Sequence, residues 1–279
     1  MFSMSSWGDT YNQNEYEYVE NYSNNKPNYI CIGVQKGGTS SLIEYLNHHP
    51  EIFMASRELH FFDKKCSRPY SNEEIMKYEG NFSKTNKPIK GEKTPSYCYF
   101  RYAMDRIYNY DKNMKIIILL REPISRAFSQ YNMLLDSKSG RDLNSVSETE
   151  IMDTFAVSWQ TLQQAHKTSG WDMKSLITRG YYDEILKYVL SKFPRQNVYI
   201  GISEEINENK LKYYNEIYEF LGASKLHKID EYANTHIRTY KKPIPKSLEK
   251  YLYNIYKPHN ERLYKILGRR IDKWEDYYN

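Results

Sequence analysis

A chain of 279 residues is long enough to bury a full hydrophobic core, as one large α/β domain or two small ones. Its 40 Lys and Arg against 35 Asp and Glu give a net charge of +5, which suits an anionic ligand but not the concentrated basic stripe of a nucleic-acid binder. The longest apolar run, Ile116 to Leu120, is strand-sized, so no membrane-spanning helix is expected.

Residues Met1 to Asn28 are polar and aperiodic, with Asp9, Glu15, Glu17 and Glu20 set against Lys26, the composition of a disordered tail. They show no basic stretch followed by an apolar one, so no signal peptide is expected. Cys31, Cys66 and Cys98 lack metal-ligand spacing and cannot all pair within one chain. They read as reduced thiols, and the expectation is a soluble, cytoplasmic protein.

The folded body is expected from Tyr29 to Asn279 as a single domain. "YICIGV" (Tyr29 to Val34) is an apolar run rich in β-formers, hence a buried strand. "SSLIEYLNHHP" follows it, with Leu42, Ile43, Tyr45 and Leu46 on one helical face and Pro50 closing the segment. A second buried strand, "KIIILL" (Lys115 to Leu120), leads through Arg121-Glu122-Pro123 into the helical "ISRAFSQYNMLL". Residues 137–178 are polar and serine-rich, with an amphipathic piece around "FAVSWQTLQQAHK". Their length suggests an insertion or lid on the acceptor side. The helical "YYDEILKYVLSKFP" precedes a third strand at Asn197 to Ile202, and "PKSLEKYLYNIYKPHNERLYKILG" reads as two helices broken near Pro258 and stopped by Gly268. Strands alternating with helices predict an α/β fold: a central parallel sheet of the P-loop-NTPase-like kind, flanked by helices. Ligands in such sheets bind beyond the carboxyl ends of the strands, where both the loop after Val34 and Arg121 fall.

The loop "GVQKGGTSS" is almost a nucleotide-triphosphate loop. Gly33 and Gly38 have the spacing of G-x-x-x-x-G-K-[ST], but Thr39 stands in the lysine slot and the loop's lysine is Lys36. Backbone N–H groups from Lys36 through Gly37, Gly38, Thr39, Ser40 and Ser41, at a helix start, form a nest for an anion. The strand that in NTPases delivers a magnesium-binding acid here ends in Arg121, with Ser129 eight residues on. Arginine cannot ligate a metal but can grip a second phosphate through its planar fork. In isolation Arg121 also reads as a helix cap or the partner of a local acid. The implied ligand has two phosphate positions and no obligatory metal.

These residues resemble a known family. "GVQKGGTSSL" is similar to the 5′-phosphosulfate loop, and "LLREPISRAFSQY" to the 3′-phosphate motif, of sulfotransferases that use 3′-phosphoadenylyl sulfate (PAPS). "RELHFFD" (Arg57 to Asp63) and "GEKTPSY" (Gly91 to Tyr97) resemble the glycosaminoglycan branch, particularly heparan sulfate sulfotransferase domains. "YYDEILKYVLSKFP", "VYIGISEEI" and "PHNERLYKILGRRIDKW" extend the likeness over nearly all of the chain after Tyr29.

The resemblance implies sulfuryl transfer from PAPS to a hydroxyl or amine, with a carbohydrate acceptor. A tyrosyl peptide, phenol or alcohol is the alternative acceptor; a nucleotide kinase and a non-catalytic PAP-binding protein are the alternatives of other classes. Residues 36–41 would hold the 5′-phosphosulfate, with Lys36 stabilising the departing charge. Arg121 and Ser129 would hold the 3′-phosphate, Tyr182 would face the adenine, and Arg238 would close a late loop over the cofactor. Glu58 matches the general base, for which burial beside "LHFF" is expected to raise its pKa. His60 is expected to share a face with Glu58 on an extended segment, orienting the acceptor or serving as the base itself. Lys93 is expected at the transferring sulfate or an anionic acceptor, and Asp63 among the acceptor-side residues. Trp159 and Trp171 read either as sugar-stacking rings or as lid packing.

Overall fold

Tyr29–Gly33 forms strand β1, and every one of its residues is buried, as an apolar run flanked on both faces requires. In the computed structural model, residues 25–64, 68–140, 143–164, 175–230 and 243–275 are described, with the backbone alone for 137–139 and 157–164. After β1 come α1 (Thr39–His48), β2 (Ile52–Met54), α2 (Asn72–Glu79), β3 (Ile89–Lys93), α3 (Arg101–Tyr110) and β4 (Lys115–Leu120). There follow α4 (Pro123–Ser139), α5 (Glu148–Gln164), α6 (Tyr182–Lys192), β5 (Val198–Ile202), α7 (Ser203–Glu208), α8 (Lys210–Leu221), α9 (Lys246–Leu267) and α10 (Asp272–Glu275).

The five strands make one sheet in the order β2-β3-β1-β4-β5, parallel at every pairing, which bears out the expected α/β class. Two strands were not foreseen. β2 has three residues, and β3 reads IKGEK, so neither carries an apolar run long enough to announce itself. β3 is nonetheless fully buried, with Glu92 and Lys93 at its end.

The described residues gather into two compact units. One takes in the described residues of 25–120 and 188–230; the other takes in those of 121–187 and 243–275. In the first, Tyr29, Cys31, Ile117 and Leu119 present one face of the sheet to Leu42, Tyr45 and Leu46 of α1 and to Tyr214, Ile217, Tyr218 and Leu221 of α8. The alternate residues Ile30, Ile32, Ile116 and Ile118 are buried as well, so the sheet is covered on both faces. In the second unit, α4, α5 and α9 share a core of Ile124, Phe128, Tyr131, Phe155, Leu252 and Tyr256 with their neighbours. The expected insertion 137–178 therefore contributes a packed helix, with Ile151 and Phe155 buried. Trp171 and the side chain of Trp159 lie outside the described residues.

The C-terminal segment differs from expectation. α9 runs unbroken from Lys246 to Leu267 with Pro258 inside it. The proline removes one helical N–H and crowds the preceding turn. Packing on both sides of it, through Leu252 and Tyr256 before and Asn260, Leu263 and Tyr264 after, carries the helix through. Gly268 ends it in the left-handed conformation, as expected.

Candidate active site

β1 has β3 on one side and β4 on the other, with Cys31 opposite Lys93 and Gly33 opposite Ile118. From β1 the chain lays down the edge strand β2 and then β3 on one side, and crosses to the other side for β4 and β5. The strand order thus reverses between β1 and β4, where open parallel sheets bind ligands.

The loop after β1 is built for close backbone packing. Val34 N–H donates to Leu119 O at 2.9 Å, and Gly37 N–H to Val34 O at 2.9 Å. A Cβ on Gly37 would lie 2.5 Å from Leu119 O, so glycine is required. Lys36 and Gly38 both adopt positive φ, 68° and 83°. α1 then starts at Thr39 with no side chain capping its N-terminus and no acid in its first turn. A helix start of this kind, uncapped by a side chain and free of acids, suits an anion, which fits the 5′-phosphosulfate of PAPS. Thr39 is buried, while Lys36, Ser40 and Ser41 are half-buried. Sequence reasoning missed Ser203, at the head of α7, whose hydroxyl donates to Gly37 O at 2.6 Å and pins the loop. A serine after an apolar strand carries no signal of that role.

The segment 58–63 brings the predicted acceptor-side residues together. Lys93 Nζ lies 3.1 Å from Glu58 Oε1, and His60 Nε2 lies 3.3 Å from Glu58 Oε2. The other ring nitrogen of His60 donates to Asp63 Oδ2 at 2.9 Å, and Ser96 Oγ donates to the same oxygen at 2.5 Å. His60 and Glu58 do not meet on an extended segment as expected. His60 has φ of 48°, and that left-handed turn swings its ring between the two carboxylates.

The electrostatics correct a second expectation. Burial pushes the Glu58 carboxyl up, but hydrogen bonds and charge from His60 and Lys93 outweigh it, and the net direction is down. Hydrogen bonds to Asp63 and then Glu58 push His60 up to about 9 against the opposing effect of burial. At neutral pH the cluster therefore holds an imidazolium between two carboxylates, with both ring nitrogens as donors. His60 in that state has no lone pair to take a proton.

Arg121 follows β4 directly in the chain. Glu122, not Arg121, caps α4, accepting from Ile124 N–H at 2.9 Å and Ser125 N–H at 2.6 Å, with Pro123 in the first turn. Arg121 is half-buried and Ser129 is buried on α4. Tyr182 is buried with its ring tilted against Trp274, and its hydroxyl donates to Arg121 O at 2.8 Å. Through that bond Tyr182 supports the Arg121 backbone. Arg238 lies outside the described residues.

A family model described as a sulfotransferase domain matches residues 26–259. The chain belongs to the sulfotransferase family. Membership implies PAPS as the sulfuryl donor. This sulfotransferase is 39% identical over 116 residues to mouse (Mus musculus) heparan sulfate glucosamine 3-O-sulfotransferase 5, covering 42% of the chain and 33% of the relative. Against human (Homo sapiens) heparan sulfate glucosamine 3-O-sulfotransferase 6 it is 26% identical over 267 residues, covering 87% of the chain and 72% of the relative. For the first relatives matched, the chain spans between a third and about half of their length. The crystal structure of a sulfotransferase from Alicyclobacillus acidocaldarius superposes with a TM-score of 0.70 at 24% identity, covering 90% of this chain and 99% of that one, and shows the shared fold.

Two further features bear on what the sulfotransferase can bind. No helix among the described residues is long and apolar enough to cross a membrane. Asp183, Glu184 and His259 bring potential metal ligands within 4.8 Å of one another. Arg262 Nε already donates to Asp183 Oδ2 at 2.6 Å, and His259 Nδ1 lies 2.7 Å from Oδ1, so both oxygens of that carboxylate already have protein partners.

Proposed function

We propose that this sulfotransferase transfers the sulfuryl group of PAPS to a hydroxyl or amine of a carbohydrate, with Glu58 as general base and no metal. The observation that carries the reading is Glu58 itself: an ionised carboxylate, one third exposed, clamped by Lys93 and His60 near the carboxyl end of β3. The names of the curated relatives, which act on glucosamine of heparan sulfate, support a sugar acceptor.

When bound, PAPS supplies an activated sulfur and a phosphate leaving group. Glu58 accepts the acceptor's proton as the new S–O or S–N bond forms and the bond to the 5′-phosphate breaks. Its low basicity suits a late transfer, after bonding to sulfur has made that proton acidic. Lys36, with the N–H groups of residues 36–41, stabilises charge on the departing phosphate. Lys93 holds Glu58 in place and meets the sulfuryl oxygens. Arg121 and Ser129 are assigned to the 3′-phosphate, and Arg238 to a closing loop by its motif position. Tyr182 acts on the cofactor side through the Arg121 backbone. His60 and Asp63 orient the acceptor. Lys36 and Lys93 provide the positive charge that a metal would otherwise bring to the sulfuryl group. Free thiols at Cys31 and Cys98 support a reducing, cytoplasmic setting.

Labelled PAPS offered with heparan-type glycans, phenols and tyrosyl peptides tests the reading, with thermal shift by PAP and by ATP with magnesium alongside. The expected result is label on the glycan and stabilisation by PAP alone. Label on the phenol or peptide alone, or stabilisation only by ATP with magnesium, would overturn it.

A further inference from the structure

We propose that Glu92 is a positioning residue whose buried carboxylate, acting through Thr94 and Tyr97, sets the loop that presents Glu58, His60 and Asp63. The proposal rests on the reading that this loop does the acceptor-side chemistry.

Glu92 lies on β3 with no exposure to solvent. Its Oε2 accepts from Thr94 Oγ at 2.7 Å; its Oε1 accepts from the hydroxyls of Tyr97 at 3.0 Å and Tyr78 at 3.1 Å. The backbone N–H of Leu59 also bonds to this carboxylate. The two intermediaries then reach the loop. Thr94 Oγ accepts from His60 N–H at 3.4 Å, and the Tyr97 hydroxyl accepts from Phe61 N–H at 2.9 Å and Phe62 N–H at 3.3 Å. Four consecutive loop N–H groups, from Leu59 to Phe62, thus end either on Glu92 or on a hydroxyl whose proton Glu92 holds.

The polarity of the arrangement is what requires a carboxylate. Each hydroxyl has a single proton, and an ionised carboxylate only accepts. Burial pushes the Glu92 carboxyl up to about 7 against the hydrogen bonds it receives, so the all-acceptor arrangement is complete above that pH. Committing the Thr94 and Tyr97 protons to Glu92 leaves both oxygens as acceptors toward the loop. An amide in the same place would donate through its nitrogen. One hydroxyl would have to turn and point its proton at a loop N–H, leaving two donors face to face. The loop needs this fixing because His60 holds a left-handed conformation, which a side-chain-bearing residue keeps only when its surroundings impose it. Stacking of Phe61 on Tyr70 and Tyr78 holds the loop's apolar side but does not orient its backbone.

The test is Glu92→Gln, read by the titration of the His60 imidazole in NMR spectra, with that resonance assigned by its loss in His60→Gln. In the wild type the midpoint is expected at about 9, because Asp63 and Glu58 flank the ring. In Glu92→Gln the midpoint is expected to fall toward the ordinary 6.5, with kcat reduced about tenfold or more and KM for PAPS within about twofold. Thr94→Val and Tyr97→Phe, which remove one intermediary each, are expected to shift the same resonance in the same direction. They carry the test if Glu92→Gln does not fold. An unchanged His60 midpoint in the folded variants would overturn the proposal. A shifted midpoint in Glu92→Gln, alongside full activity in Glu58→Gln, would instead sink the assignment of the base and leave the positioning role standing.

Discussion

Lys93 Nζ and Glu58 Oε1 are 3.1 Å apart, and the two side chains differ sharply in exposure, 7% for the lysine and 33% for the carboxylate. The lysine is therefore the fixed member of the pair, anchored on β3, and it holds a carboxylate that faces outward from a loop. Such a pairing favours the ionised form of Glu58 and fixes the position of its carboxylate, as the proposed general base requires.

Removing the lysine should separate these effects. In Lys93→Met the burial that pushes Glu58 up loses one of its opponents, leaving His60 alone. The expected outcome is an acid limb of the pH–rate profile shifted to higher pH and a fall in kcat of about 10²-fold or more, as for loss of a preorganised donor. Steady-state kinetics across pH check both. A profile with its acid limb unmoved would contradict the pairing.

His60 sets the alkaline side. Its folded pKa of about 9 lies above the ordinary 6.5, so the charged form is favoured by folding. The stabilisation it contributes is fully present below about 6.5 and is lost as pH rises through about 9. Both unfolding midpoint and kcat/KM should decline together over that window, and His60→Gln should abolish the decline. Urea titrations at a series of pH values read the first, kinetics the second.

The loop after β1 depends on Ser203. Ser203→Ala should leave Gly37 O without its 2.6 Å donor, at a cost of about 1 kcal/mol in stability, and raise KM for PAPS with little change in kcat. Gly37→Ala is more severe, because the added methyl would meet the Leu119 carbonyl at 2.5 Å. Binding of PAP by calorimetry should be retained in the first variant and lost in the second.

Pro258 offers a test of the fold away from the site. The residue sits inside a continuous helix, is exposed, and lacks the N–H that alanine would supply. Pro258→Ala should stabilise the chain by up to about 3 kcal/mol, raising the urea midpoint without changing the slope. Destabilisation would mean that the helix is kinked to accommodate the proline.

What the residues announced, and what they hid, follows from the kind of signal each part carries. β1 and β4 are apolar runs with turn residues after them, and the loop, the cap at Glu122 with Pro123, and the stop at Gly268 have local chemistry that reads directly. β3 could not be seen because its alternation is broken by Lys90, Glu92 and Lys93, all buried through partners elsewhere in the chain. The break expected at Pro258 failed because tertiary packing outweighed a local penalty. The direction of the Glu58 shift was misjudged for a related reason. The neighbouring phenylalanines are adjacent in sequence, whereas Lys93, which reverses their effect, comes from another strand. The meeting of Glu58, His60, Asp63 and Lys93 was foreseen as a set, but the left-handed turn that arranges them was not.

The most direct test of the central claim is sulfuryl transfer from labelled PAPS to a heparan-type glycan by Glu58→Gln beside the wild type, with PAP affinity measured on both. Removal of a general base predicts transfer reduced by about 10²- to 10⁴-fold with PAP affinity unchanged. Transfer at the wild-type rate in a variant that still binds PAP would contradict it.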